Sequence, residues 1–204
     1  MSEDLTPEQR EWLADSELHG PAFAAAPAEG GGPVRLVIFG AVPLAAALCR
    51  IVRTLGWVPY VVDPRERFAA SQAFPAAEAV LTRWPAAAFA ELGGLDAATA
   101  VAALTHAPEL DDPALELALR SPAFYVGAMG SRRTQGRRRE RLSAAGLTEA
   151  ELARLSGPAG LDLGGVTVDE AALAIAAEAV AVLHGREGAR LTTSANAIHV
   201  AGRP

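Results

Sequence analysis

The sequence predicts an α/β protein: a Rossmann-like, doubly wound, mostly parallel sheet with helices on both faces, plus a short N-terminal helix. Three observations predict it. The run VRLVIFG at 34–40 is continuously apolar after Arg35, as a strand covered on both faces must be. The segment after it repeats Leu44, Leu48, Ile51, Val52 and Leu55 at helical spacing, closes at Gly56, and leads into a second strand, VPYVVD at 58–63. Strand, helix and strand within about 30 residues make a βαβ unit, and the same alternation continues down the chain.

Taken in order, Thr6, Pro7 and Gln9 form a helix-start signature, so a short helix is expected over 7–18. A Pro/Gly/Ala linker follows and closes residues 1–33; the Rossmann-like domain is expected over 34–186 and a polar tail over 187–204. Within the domain, EAVLTRW (78–84) reads as a short third strand and Pro85 as the opening of a helix. ATAVAALTH (98–106) is the next strand. DDPALELALRS then starts with acids and a first-turn proline, Pro113, as a helix does. AFYVGAMG is a further strand, and Ser131 caps a helix that follows it. Capping boxes at Thr148/Glu151 and Thr167/Glu170 open two more helices, the last with Leu173, Ala176, Ala177, Val180 and Leu183 as its apolar face. The tail is expected to be loose, apart from a strand near Ile198–Val200.

Half of the 204 residues are hydrophobic and 21% are charged, the balance of a globular chain with a sizeable core. The single cysteine, Cys49, excludes an internal disulfide framework and fits a reducing cytoplasm; within its helix it reads as a buried, inert thiol. No apolar run approaches the about 18 residues of a membrane span, and the acidic N-terminus is not a signal peptide. One cysteine and four scattered histidines show no metal-ligand spacing. A net charge of −6 argues against nucleic acid as a partner. Yet six of the eighteen basic residues, all of them arginine, lie between Ser131 and Arg141. As a helix these arginines project in most directions and make no single stripe.

In such a sheet the ligand crevice lies beyond the carboxyl ends of the strands. Four features fall there. Gly40-Ala41-Val42-Pro43-Leu44-Ala45 is an altered dinucleotide fingerprint: Gly40 makes the turn, but Val42 stands where a missing Cβ would admit pyrophosphate, and Pro43 removes an amide. Asp63 follows Gly40 by 23 residues, near the spacing of the carboxylate that reads a ribose 2′-OH, with Arg65 and Arg67 placed to meet a 2′-phosphate instead. Thr105 and His106 end a middle strand, His106 being the one candidate for a catalytic role. Gly127, Gly130, Ser131, Arg132 and Arg133 end the last one. Cations in the first turn of a helix oppose its dipole, so Arg132 and Arg133 imply an anion there, either a phosphate or a nearby carboxylate.

Three blocks then carry a resemblance: VVDPRERFA (61–69), LTHAPELDDPALELALRSPAFYVGAMGSRRT (104–134) and GPAGLDLGGVTVDEAALAIAAEAVA (157–181). In this order and spacing they closely resemble the C-terminal Rossmann domain of the XdhC/CoxI family, accessory factors of xanthine dehydrogenase and carbon monoxide dehydrogenase. The resemblance implies a maturation factor, or chaperone, that handles molybdenum cofactor (molybdopterin or its dinucleotide) and assists its binding, sulfuration or insertion into an apo molybdenum hydroxylase. Members of the family usually carry an N-terminal cysteine-bearing domain where residues 1–33 read as a helix and a linker, which leaves open whether this chain pairs with a separate protein carrying that domain. The family's first loop usually reads G-A-G-H-V-A, and Val42 and Pro43 depart from it. Asp63, His106, Asp111, Asp112, Gly127, Gly130, Ser131, Arg132 and Arg133 carry over as a candidate crevice and no further. Two other readings of the residues remain: an NAD(P)-dependent oxidoreductase, and a ligand-free scaffold using Trp12 and the last helix as interfaces. A homodimer is compatible with all three.

Overall fold

The structure, a computed structural model, describes residues 32–194. The helix expected over 7–18 with its Trp12, most of the linker, and the strand expected near 198–200 lie outside the described residues. The described residues up to Gly188 form one compact unit. Beyond it, 189–194 hold a short 3-10 turn, Leu191–Thr193.

Six strands make one parallel sheet: β1 (Arg35–Phe39), β2 (Val58–Val62), β3 (Ala79–Leu81), β4 (Thr99–Ala103), β5 (Tyr125–Ala128) and β6 (Leu155–Ser156). Their spatial order is β3-β2-β1-β4-β5-β6, and every neighbouring pair is parallel. The chain therefore winds outward from β1 in one direction, returns, and winds outward from β4 in the other. This is the doubly wound Rossmann-like architecture expected, with its switch point between β1 and β4.

The continuous apolar runs are explained by two cores, one on each face. Leu36, Ile38, Val61, Ala100, Ala102 and Tyr125 point to one side, where α1 (Pro43–Thr54) and α6 (Val168–Leu183) cover them. Val37, Phe39, Val62, Val101, Ala103 and Val126 point to the other. There they meet α2 (Pro85–Glu91), α3 (Pro108–Leu119), α4 (Arg132–Ala144) and α5 (Glu149–Leu152). Period-2 alternation is thus present in the strands, but both of its phases are buried, so the sequence shows none of it.

Three elements differ from expectation. Helix α3 begins at Pro108, not at the Asp111–Pro113 stretch, and Pro113 lies inside it. Pro108 offers the same first-turn advantages, and the Thr105 hydroxyl accepts from the Ala107 amide at 3.0 Å to fix the entry. Helix α6 buries Ala172, Ile175, Ala176 and Ala179, while Leu173 is 50% exposed. The alanines face inward because α6 packs closely on α1, where small residues fit. The two-residue strand β6 extends the sheet beyond β5 and had no sequence signal. Both capping boxes are present, with Thr148/Glu151 and Thr167/Glu170 bonded reciprocally.

Helix α6 is fastened to the sheet by one carboxylate. Glu178 Oε2 accepts from the Tyr125 hydroxyl at 2.7 Å and from the Gly160 amide at 2.8 Å. The Tyr125 ring lies over Gly127, where a Cβ would stand 2.4 Å from the phenolic oxygen.

Cys49 is fully buried on α1, and burial pushes its thiol up to about 12 despite the nearby Arg53 and Arg50. Only thiolate reacts. The folded protein at pH 8 is therefore expected to be inert to a thiol-disulfide reagent and to release one equivalent of reactive thiol in denaturant. Rapid labelling of the native protein would show that this helix opens.

Candidate functional site

The parallel register brings the strand ends level. Phe39 pairs with Val62 and with Ala103, and Ala103 pairs with Ala128. Gly40, Asp63 and Met129, each directly after its strand, and Thr105, two residues beyond β4, therefore emerge along one edge of the sheet. Features up to 90 residues apart in sequence share that edge because a parallel sheet puts all its carboxyl ends on one side.

At the switch point Gly40 has φ +114°, and a Cβ there would stand 2.7 Å from Thr105 Cγ2. Glycine is needed both for the turn and for the close approach of the β1 and β4 ends. Val42 is the extended N-cap of α1, without a side-chain cap, and Pro43 follows at the first helical position. The Ala41 amide is not available to a phosphate either: it donates to Asp63 Oδ2 at 3.0 Å.

Asp63 is fully buried and its carboxylate is occupied. Arg65 grips it twice, Nε to Oδ1 at 2.8 Å and Nη2 to Oδ2 at 2.7 Å, and the Arg65 amide adds a bond to Oδ1 at 3.0 Å. Burial alone would push this carboxyl up, but the Arg65 side chain and the two amides outweigh it and hold it below the ordinary aspartate range. With the Ala41 bond, four donors fill the carboxylate's acceptor sites. The Arg65 and Arg67 guanidiniums each lie 4.6 Å from the Phe68 ring centroid.

The β4 end carries a left-handed residue. His106 has φ +61°, unusual outside glycine, and its side chain is exposed. Thr105, just before it, donates its hydroxyl to Asp111 Oδ1 at 2.6 Å. Asp111 Oδ2 in turn accepts from Arg138 Nη2 at 3.1 Å. The pair is buried, with side-chain exposures of 2% for Arg138 and 0% for Asp111, so neither charge faces bulk solvent. Burial pushes the Asp111 carboxyl up, against the pull of Thr105 and Arg138. Arg138 Nη1 donates to the Met129 carbonyl at 3.0 Å and to Gln135 Oε1 at 2.6 Å. Gln135 Nε2 completes the chain on the Ala128 carbonyl at 2.9 Å.

The arginines of α4 thus divide into two groups. Arg138 is buried as described; Arg139 pairs with Glu149, and Arg141 Nε with Asp112 Oδ2 at 2.5 Å. Arg132, Arg133 and Arg137 are exposed and have no ion-pair partner among the described residues. For Arg132 and Arg133, the alternative of a compensating internal carboxylate finds no support there. Ser131 caps the helix, accepting from the Thr134 amide at 3.2 Å, and Gly130 has φ +130°. The first helical amides, those of Arg132 and Arg133, have no carbonyl behind them. Gly127, by contrast, is buried within β5, where its missing Cβ makes room for Tyr125.

Gly40, Asp63, Thr105, His106, Gly130 and Ser131 therefore follow strand ends on one side of the sheet, with Asp63 clamped, Gly127 inside its strand, and Asp111 and Asp112 on helix α3. Sequence reasoning missed Arg138 and Gln135. The available signal was Leu142, the one large apolar residue of α4, which lines up at helical spacing with 135 and 138 on the buried face. A cavity of about 320 Å³ lined by Arg35, Val58, Tyr60, Asp96 and Ala98 opens at the opposite, amino ends of the strands, away from these groups. Among the described residues no cluster of His, Cys, Asp or Glu is placed to hold a metal ion, and no helix is long and apolar enough to cross a membrane.

Comparison with known proteins agrees with the fold. The family model for the XdhC Rossmann domain matches residues 36–179. The molybdenum cofactor insertion chaperone PaoD of Escherichia coli (strain K12) is 28% identical over 162 residues, covering 79% of this chain and 44% of PaoD. A crystal structure described as a xanthine dehydrogenase from Bacillus halodurans superposes with a TM-score of 0.65 at 25% identity, over 81% of this chain and 46% of the other. The chain spans less than half the length of either relative.

Proposed function

The chain belongs to the XdhC family, whose Rossmann domain it carries, and from that premise we propose that it assists the loading of a molybdenum hydroxylase. Its cargo is molybdenum cofactor, as molybdopterin or its dinucleotide, and its partner is the apo-enzyme of the xanthine dehydrogenase or carbon monoxide dehydrogenase type. The chain acts by binding and handing over, with no covalent step assigned to it.

The observation that carries this reading is the pair Arg132 and Arg133. Each cation in the first turn of a helix costs about 0.3–1 kcal/mol against the macrodipole, and no carboxylate among the described residues offsets it. A terminal phosphate or diphosphate would meet two guanidiniums and two free amides there. The donor set suits an anionic tail. Support comes also from PaoD, which is a molybdenum cofactor insertion chaperone. The oxidoreductase reading is weakened at Asp63: a carboxylate already saturated by Arg65 and two amides has no acceptor left for a ribose diol.

The test is mass spectrometry of small molecules released from protein purified out of a host that makes molybdenum cofactor. A stoichiometric pterin phosphate or pterin dinucleotide is expected. Stoichiometric NAD(H) or NADP(H) would replace the loading reading with the oxidoreductase one. An empty protein that still captures a molybdenum hydroxylase would favour the scaffold.

A further inference from the structure

We infer that Arg138 is a positioning residue that makes the two loops of the crevice one mechanical unit; this rests on the reading of that edge as the ligand site. The inference starts from an oddity. A buried ion pair is seldom the most stable way to fill a core, because desolvation offsets its attraction. Here the arrangement is costlier still, since Arg138 Nε is buried with no hydrogen-bond partner, and Asp112 Oδ1 stands 4.0 Å away, too far for one.

What the guanidinium does hold is specific. Through Asp111 it fixes Thr105, whose hydroxyl both donates to that carboxylate and accepts from the Ala107 amide, bracketing the left-handed His106 on both sides. Through its other nitrogen it holds the Met129 carbonyl, and through Gln135 the Ala128 carbonyl, the residues leading into Gly130 and Ser131. One rigid fork therefore spans the loop after β4 and the loop after β5. Lysine, a single point charge, could not hold the three oxygens in that planar arrangement. A displacement of the phosphate-side turn is carried to His106 through four side chains, Gln135, Arg138, Asp111 and Thr105.

The test separates positioning from stability. In the double variant Arg138→Met with Asp111→Asn, the buried charges go together, so folding should survive, while Asn still accepts from Thr105. Amide hydrogen exchange is then measured on the whole chain. Exchange at residues 105–107 and 129–131 is expected to rise together by at least about tenfold, with the interiors of β1 and β4 unchanged. Wild-type protection in either loop, in a variant with native melting behaviour, overturns the proposal. Should the double variant not fold, Arg138→Lys serves instead: it keeps the charge opposite Asp111 and should loosen 129–131, and unchanged exchange there overturns the proposal equally. Titration with inorganic pyrophosphate runs alongside. Coupled loosening with no pyrophosphate binding by the wild type leaves Arg138's role standing and counts against the ligand reading.

Discussion

Asp111→Ala is expected to lose about 3–5 kcal/mol of folding stability, because it strands the Arg138 charge in a buried site. The neighbouring change, Asp112→Ala, supplies the comparison. Asp112 pairs with Arg141, whose side chain is 40% exposed, and such rim pairs contribute about 0–1 kcal/mol. Urea unfolding of the two variants at neutral pH should separate them clearly. If Asp111→Ala unfolds at the same denaturant concentration as Asp112→Ala, the guanidinium is not buried as described and the linkage between the loops goes with it.

Replacing Arg132 and Arg133 together by alanine should have two effects of opposite sign. Affinity for a pyrophosphate-bearing ligand should fall by at least about a hundredfold, since each charge-assisted bond contributes about 1.5–3 kcal/mol. Thermal stability should rise slightly, because two cations leave the positive end of a helix. Calorimetric titration with pyrophosphate and a melting curve on the same sample read both. Undiminished affinity would remove the anion site, and a large loss of stability would mean that these arginines hold something structural instead.

Most of the fold was legible because its signals are local. A capping box is chemistry between a side chain and backbone three residues away, so Thr148/Glu151 and Thr167/Glu170 announce their helices wherever they fold. The parallel strands announce themselves by apolar continuity. What was not legible depends on neighbours distant in sequence. β6 is two residues whose pairing exists only because β5 presents an edge. The start of α3 was obscured by having two prolines, Pro108 and Pro113, either of which could open a helix. Arg138 looks like its neighbours until Asp111, from another helix, is brought against it. Asp63 shows the same limit from the other side. Its spacing from Gly40 is that of a ribose reader, and only the folded chain shows Arg65 occupying it.

The fastening of α6 bears on how such a domain exchanges parts with its relatives. Tyr125, Gly127, Gly160 and Glu178 come from three separate stretches of chain, yet the phenol needs the glycine beneath it and the carboxylate above it. A chimera that imports the last helix from a relative lacking an acceptor at that position would leave a hydroxyl without its partner, at about 1–3 kcal/mol. One that imports β5 with a side chain at residue 127 would drive the ring into its neighbour. These positions form one recombination unit, and the crossover points that respect the fold are those that move strand, loop and helix together.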